Sequence, residues 1–263
     1  MKKLLPLLGL LCLLATPALA QRGFQIGLRA IPQYTSIMNS DYPDSLENAF
    51  TVGAAGGIGF GYGFTNHFTL GANVLYSYQG QRFNYYYPRP GTDINGNPLP
   101  EAEVEREIFF KYIQVPVFAK FGTDFERKYA FYGMIGPQFG YMLDATDRND
   151  DKRYVPEYDP YVETANYPDD PYERYERLDI QGMVAAGLDV KLRFNLRMNV
   201  QLRAAMSVLD IQDKDVTYTE RRDGVVSEIN YWEDRQNISS EARNLNVGLT
   251  IGFTYVFIPR FHY

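Results

Sequence analysis

Apolar and polar residues alternate along most of this 263-residue chain. The stretch from 188 to 204, LDVKLRFNLRMNVQLRA, has an apolar side chain at every second position and a charged or amide side chain at each position between. A period of two is the signature of a β-strand, because successive side chains point to opposite faces. The alternation continues through Phe194-Asn195, so two strands joined by a tight turn share the same two surfaces.

Eight segments of this kind predict eight strands, and the connections between them alternate in length. Three connections are short, at 65–67, at 122–128 and at Phe194-Asn195, whereas four are long and polar. An even number of strands, with tight turns at one end and long loops at the other, is typical of an outer-membrane barrel. The predicted strands cover residues 23–36, 50–64, 68–83, 107–121, 129–143, 178–193, 196–209 and a last segment from about 244; the long loops cover about 37–49, 84–105, 144–177 and 210–242.

The period alone does not say whether the apolar face meets lipid outside or a soluble core inside. Three features favour lipid. The segments are long enough for the roughly 9–11 residues that a tilted transmembrane strand needs, the second face of 50–64 is almost entirely Gly and Ala, and aromatic residues gather near segment ends. We therefore predict an all-β fold: an eight-stranded antiparallel up-and-down transmembrane β-barrel with long extracellular loops. A lipocalin-like soluble barrel is the alternative.

The first twenty residues have the pattern of a secretory signal peptide. Lys2 and Lys3 precede a mostly apolar run, and Ala18-Leu19-Ala20 is a small-x-small cleavage site. We therefore expect a signal peptide over 1–20, cleaved after Ala20, and a barrel domain over 21–263 in the outer membrane with both termini in the periplasm. A retained N-terminal anchor is the alternative. The aromatic, alternating end of the chain, YVFIPRFHY, resembles the C-terminal assembly signal of such barrels.

Composition excludes several classes of function. Cleavage would remove Cys12, the single cysteine, so the mature chain would have no disulfide and no thiolate metal site. The formal charge of −6 becomes more negative without Lys2 and Lys3, which argues against nucleic acid as a partner. Beyond the signal there is no apolar run long enough for a transmembrane helix.

Charged and amide side chains on the second face of the strands are expected to point into the lumen. They could line an anion path or a ligand site, or they could form a packed, hydrogen-bonded plug. Eight strands leave an interior just wide enough for side chains to fill, which favours the plug. Pro116 lies within this region and predicts a bulge or a local break, because proline lacks a ladder donor. The expected lumen-facing polar residues are Arg29, Gln114, Lys120, Asp189, Lys191, Arg193, Arg197 and Arg203.

No catalytic residue, cofactor site or metal site is predicted. The chain has two histidines, His67 and His262, and both are expected at the periplasmic end. Lipid-modifying enzymes on this scaffold usually need a histidine beside a serine and a carboxylate, and their substrates lie in the outer leaflet. The sequence from Asp147 to Asp151 has the spacing of a calcium loop but lacks the glycine and the distal glutamate, so a solvated acidic loop explains it equally well.

Two long loops, 144–177 and 210–242, are acidic, and the first holds six tyrosines, which suits either protein contact or simple solvation. Within the second loop, VTYTERRDGVVSEINYW alternates around Asp223-Gly224, a good hairpin signal. The hairpin could be a ribbon above the membrane, or it could add two strands to the barrel. The bilayer is the expected partner, and envelope or secretion proteins could bind these loops.

Several short motifs resemble the PorT-like family of small outer-membrane β-barrels. Tyr112-Ile113-Gln114-Val115-Pro116 matches its central strand motif, and Gly136-Pro137-Gln138-Phe139-Gly140-Tyr141 is similar to its next strand; the stretch from Asp179 to Leu188 matches only loosely. The resemblance implies an eight-stranded barrel of a Gram-negative outer membrane, and one family member is tied to a protein-secretion machine. The predicted function is a non-enzymatic structural or interaction component of the envelope, with a secretion assembly as its specific form. The alternative is a small-ligand binding or transport barrel that uses lumen charges or extracellular loops.

Overall fold

The computed structural model describes residues 23–39, 47–87, 102–148, 162–166, 171–193, 195–222, 225–230 and 242–257. In chain order its strands are β1 (Phe24–Asn39), β2 (Glu47–Gly63), β3 (Phe68–Tyr87), β4 (Ala102–Gly122), β5 (Tyr129–Arg148), β6 (Val162–Asn166), β7 (Leu178–Arg193), β8 (Leu196–Ser207), β9 (Thr217–Arg222), β10 (Val225–Asn230) and β11 (Ala242–Val256). A short 3₁₀ helix covers Pro171–Arg174. In the described part of the chain, no helix is long and apolar enough to cross a membrane.

Eight strands close into an antiparallel barrel, which confirms the predicted fold class. Each barrel strand pairs with the next one along the chain, and β11 pairs with β1 to close the cylinder. The hairpin predicted around 223–224 forms as β9 and β10, but it lies outside the barrel and builds a three-stranded sheet with β6. The barrel therefore has eight strands rather than ten. β3 and β4 are longer than predicted and remain paired up to Tyr87 and Ala102.

The apolar stripe of each strand faces outward. Leu28, Val52 and Leu202 are 65%, 68% and 61% exposed, whereas the polar side chains that alternate with them are mostly buried. A soluble barrel would have the opposite arrangement, with apolar side chains inside. An outer surface of large exposed apolar groups is stable only in contact with hydrocarbon, so this polarity decides between the two barrels considered from the sequence.

Aromatic side chains form a belt at the end of the barrel that carries the short turns. Phe24 lies between Phe60 and Phe257, with ring centroids 6.3 and 6.0 Å away, and Phe68 packs on Phe121 at 4.8 Å. Such belts lie at the membrane–water interface, where rings tolerate both environments. At the opposite end, exposed ion pairs mark the upper limit of the apolar surface, namely Arg82–Glu107 and Lys111–Asp144.

Two irregularities shape the barrel wall. A side chain at Gly57 would overlap the backbone carbonyl oxygen of Val74, so β2 and β3 approach closely only because this position is glycine. At Pro116 the pairing of β4 with β3 is interrupted between the pairs Ala72–Val117 and Leu75–Gln114, without a change of register. The predicted local disturbance is therefore a break in the ladder rather than a bulge; the β4–β5 bulge lies at Lys111/Tyr112.

Several expectations fall outside the described residues. These are the signal peptide over 1–20, the C-terminal residues 258–263 with His262, and the loop segments 149–161, 167–170, 223–224 and 231–241. Of the sequence that resembles a calcium loop, Asp147 and Arg148 belong to β5, and residues 149–151 are outside the described part.

Candidate functional site

Polar side chains meet in the lumen as a layered network, and its first layer lies toward the short turns. The Lys120 ammonium is 2.6 Å from an Asp189 carboxylate oxygen, and Asn199 donates to the other oxygen at 2.5 Å. Thr254 in turn donates to the Asn199 carbonyl at 2.7 Å. The ammonium also lies 3.7 Å from the ring centre of Tyr132, a cation–π contact. Five strands, β4, β5, β7, β8 and β11, thus contribute to the layer around one buried ion pair.

A second layer, at mid-height, is built from amides and one arginine. Gln138 donates to Gln181 at 2.6 Å, and Asn246 donates to the same acceptor at 3.1 Å. The Arg203 guanidinium donates to the Gln138 carbonyl. These side chains are almost fully buried, so their mutual hydrogen bonds replace those that water would otherwise make.

A third layer centres on Asp179, which is 1% exposed. Its carboxylate accepts hydrogen bonds from Gln181 at 2.5 Å, from Ser207 at 2.7 Å and from Asn244 at 3.0 Å. These three donors are neutral. Hydrogen bonds to the charged form stabilise a buried carboxylate, so this cluster holds Asp179 in place without an adjacent ion pair.

Above this layer an apolar plug closes the long-loop end of the lumen. Two of its members come from connecting segments: Tyr175 follows the 3₁₀ helix, and Ile211 follows β8. The backbone carbonyl of Ile211 accepts a hydrogen bond from the Glu176 N–H at 2.9 Å, and the Ile211 N–H donates to the Ala242 carbonyl at 3.0 Å. These bonds tie both segments to the barrel wall. The apolar plug consists of Ile37, Ile108, Phe110, Tyr112, Met142, Ala145, Tyr175, Ile211 and Ala242.

Most residues expected in the lumen lie there. Lys191 is half-buried at the short-turn end. Arg193 was expected to point into the lumen, but its side chain is exposed. A register shift between Lys191 and Arg193 takes the end of β7 out of the regular alternation. The expected residues that point into the lumen are Arg29, Gln114, Lys120, Asp189, Arg197 and Arg203.

Sequence reasoning missed several members of the network. Asp179 and Gln181 share the inward face of β7, and Ser207 that of β8, with residues that were chosen, whereas Asn244 and Asn246 lie on the inward face of β11, from which no residue was chosen. Strict alternation would have found them. Gln138 was harder to find, because β5 carries apolar or aromatic residues on both faces, with Tyr132 and Met134 inside and Phe131 and Ile135 outside.

Comparison with known proteins identifies the class of barrel. Residues 17–213 match the family described as outer membrane protein beta-barrel domain. The chain belongs to this family. It is therefore an outer-membrane β-barrel, embedded in the lipid bilayer through its apolar outer face.

Solved structures similar to this outer-membrane barrel share little sequence with it. OprG from Pseudomonas aeruginosa has 11% identity, with 90% of this chain and 97% of that chain covered and a TM-score of 0.48. Neisserial surface protein A has 11% identity, with coverage of 88% and 97% and a TM-score of 0.40. The outer membrane protease OmpT from Escherichia coli has 8% identity, with coverage of 89% and 97% and a TM-score of 0.38. No curated protein matches the sequence.

His67 lies in the short turn between β2 and β3. It is exposed, and its Nδ1 atom lies 3.1 Å from the backbone carbonyl oxygen of Gly122. Its backbone N–H donates to the Thr65 hydroxyl at 3.1 Å, so its contacts are those of a turn residue. Within the described ranges, no three or more His, Cys, Asp or Glu side chains are grouped so that they could hold a metal ion.

At the long-loop end, carboxylates gather around Glu176 on the connection that supplies Tyr175. Partial burial raises the pKa of the Glu176 carboxyl above its ordinary value, and repulsion from Asp213, Asp215 and Asp210 adds to the rise. Lys214 offsets part of this negative charge through an ion pair with Asp210 at 3.0 Å. The connection that supplies Tyr175 thus carries carboxylates that repel one another.

Proposed function

We propose that this outer-membrane barrel is a non-conducting, non-enzymatic component of the envelope that acts through protein contacts. The observation that carries the proposal is the filled lumen: three polar layers of side chains are joined by hydrogen bonds across it, and the apolar plug lies above them. A pore needs a continuous wetted path, and eight strands leave an interior that side chains can fill. The parts left free to act are the loops.

The orientation in this proposal follows the usual arrangement of such barrels. Short turns face the periplasm and long loops face the exterior. Both termini then lie in the periplasm, because Phe24 and Phe257 meet at the short-turn end. In this proposal the signal peptide is cleaved after Ala20. The loop sheet of β6, β9 and β10 is then extracellular.

The loop sheet is the proposed contact surface. It joins β6 from the 144–177 loop to the β9–β10 hairpin from the 210–242 loop, so two loops present one surface. Val226 on β10 is 66% exposed, and the 144–177 loop holds six tyrosines. Rigid amphipathic tyrosines suit protein recognition. The PorT-like resemblance of the barrel strands makes a protein-secretion assembly the specific partner class.

A co-purification experiment tests the interaction. The tagged barrel is isolated from native membranes in mild detergent, and its partners are identified by mass spectrometry. We expect envelope or secretion proteins in stoichiometric amounts, and their loss when residues 217–230 are replaced by a short Gly-Ser linker. Deletion of residues 88–101, a segment of equal length in another long loop, is the matched control and should leave the partners bound. A wild-type barrel that purifies alone would refute the interaction.

A conductance experiment tests the closed lumen separately. The purified barrel in a planar bilayer should show no defined current steps. Tyr175→Gly and Phe110→Ala, which thin the apolar plug, should not open a channel by themselves because the three polar layers remain. Regular unitary steps from the wild-type protein would contradict the filled lumen and favour a transport role.

A further inference from the structure

A cavity of about 30 Å³ lies in the lumen near the short turns. Three cationic side chains, Arg29, Lys120 and Arg197, lie at its wall, together with a single carboxylate, Asp189. Asp189 is already engaged by Lys120 and Asn199. Even if Lys120 and Asp189 are counted as a neutral pair, the wall remains positively charged because of Arg29.

Arg29 forms no direct ion pair with a carboxylate among the described residues, although Asp189, which is paired with Lys120, lines the same cavity. Its Nη1 atom donates to the backbone carbonyls of Leu28 at 3.1 Å and Phe253 at 3.4 Å. Backbone carbonyls satisfy part of the guanidinium but do not neutralise it. A charged group inside a membrane-spanning structure is costly unless a counter-charge lies close, and such groups mark functional sites.

The barrel wall is built to admit this guanidinium. A Cβ atom at Gly27 on β1 would lie 2.7 Å from the Arg29 Nη1 atom, and one at Gly252 on β11 would lie 2.8 Å from it. On β2, a Cβ at Gly59 would lie 3.5 Å from Nη2. The distance at Gly59 is an ordinary van der Waals contact, so it is at Gly27 and Gly252, on β1 and β11, that the absence of a side chain makes room for the guanidinium. This arrangement holds the guanidinium at the cavity in a defined position.

We propose that the cavity binds one small monovalent anion, either chloride or a single carboxylate group, against Arg29 and Lys120. The guanidinium fork matches a carboxylate and also accommodates a halide, and the ammonium supplies a second positive charge. One water molecule needs about 10–15 Å³ of cavity volume. A cavity of about 30 Å³ therefore has room for an anion of a few heavy atoms and excludes larger anions. The apolar plug closes the opposite end, so the anion enters between the short turns.

Chloride-35 NMR on the full mature protein in detergent micelles tests this proposal. Ionic strength is held constant with gluconate, which is too large for the cavity. We expect excess chloride line width with the wild-type barrel, and at least a tenfold loss of that excess in Arg29→Gln. Arg82→Gln removes the same charge from an exposed arginine outside the lumen and should leave the line width unchanged. Formate should compete with chloride, and citrate should not.

Three results would overturn the proposal. They are a wild-type line width equal to that of empty micelles, equal losses in Arg29→Gln and Arg82→Gln, and competition by citrate as strong as that by formate. Equal losses or citrate competition would assign the effect to surface charge. If Arg29→Gln does not fold, Arg29→Lys retains the positive charge and takes its place: it should keep binding but with weaker formate competition, because the fork is lost. Unchanged formate competition in Arg29→Lys would refute the role of the guanidinium.

Discussion

Removal of the Lys120 ammonium should destabilise the barrel far more than removal of an equally short ion pair at its surface. Lys120 and Asp189 are 2.6 Å apart, with side chains 11% and 4% exposed. Lys120→Met keeps the length of the side chain and its contact with the Tyr132 ring, since a thioether also packs on aromatic rings. The substitution therefore isolates the loss of charge.

The expected size follows from the surroundings of Asp189. Breaking a buried pair by removal of one partner costs about 3–5 kcal/mol, because a charge is left buried and uncompensated. Asn199 still donates to Asp189 at 2.5 Å, and Arg29 lies at the same cavity, so we expect the lower end of that range. A change of about 3 kcal/mol in the free energy of unfolding is roughly a 100-fold change in the folded-to-unfolded ratio.

Urea unfolding in phospholipid vesicles measures this change, with heat-modifiable gel mobility and far-UV circular dichroism as two readouts of the folded barrel. Lys111→Met is the matched control, because Lys111 and Asp144 form a 2.5 Å pair whose side chains are 38% and 45% exposed. It should change stability much less, since exposed pairs contribute little. The double variant Lys120→Met/Asp189→Asn, which removes both charges, should be more stable than Lys120→Met alone.

Two results would refute this reasoning. One is a Lys120→Met variant no less stable than Lys111→Met. The other is a double variant at least as unstable as Lys120→Met, which would mean that the buried Asp189 charge is not the source of the loss.

Three further predictions concern other parts of the molecule. Asp179→Ala leaves three buried donors without their acceptor. At about 1–3 kcal/mol per donor, it should lower the free energy of unfolding by about 3 kcal/mol or more in the same urea assay. Asp179→Asn keeps one acceptor oxygen and should therefore lose less stability. Gly57→Ala should prevent assembly of the heat-modifiable barrel because its Cβ would overlap the Val74 carbonyl, whereas Gly182→Ala, with no atom within 4 Å of its Cβ, should assemble normally. Because the folded-state pKa of Glu176 is raised, its contribution to stability is fully present below its ordinary value of 4.5 and is lost as pH rises through the folded pKa. Glu176→Gln should therefore raise the urea midpoint slightly at pH 7 and leave it unchanged below pH 4.5; an equal shift at both pH values would contradict the repulsion.

Period-two alternation was sufficient to predict the eight barrel strands, and the alternating loop lengths predicted the end that carries the short turns. The outward direction of the apolar face needed three further features: the strand lengths, the glycine-rich face of 50–64 and the aromatic residues near segment ends. These features are local, because the direction of a side chain in a strand follows from its position in the chain and from its immediate neighbours. The glycine-rich face of β2 also indicated a crowded lumen, and a Cβ at Gly59 would lie only 2.4 Å from the Asn73 side-chain oxygen.

Which residues meet was decided only by the tertiary structure. Lys120 and Asp189 are 69 residues apart, and their contact depends on the register of strands that the local pattern does not relate. The same holds for closure of β11 on β1, for the pairing of the β9–β10 hairpin with β6, and for the apolar plug that Tyr175 and Ile211 complete from outside the barrel. Arg193 left the lumen because of one register shift. Alternation assigns each side chain to a face, whereas hydrogen bonds between distant strands set the height at which it lies and the partner it finds.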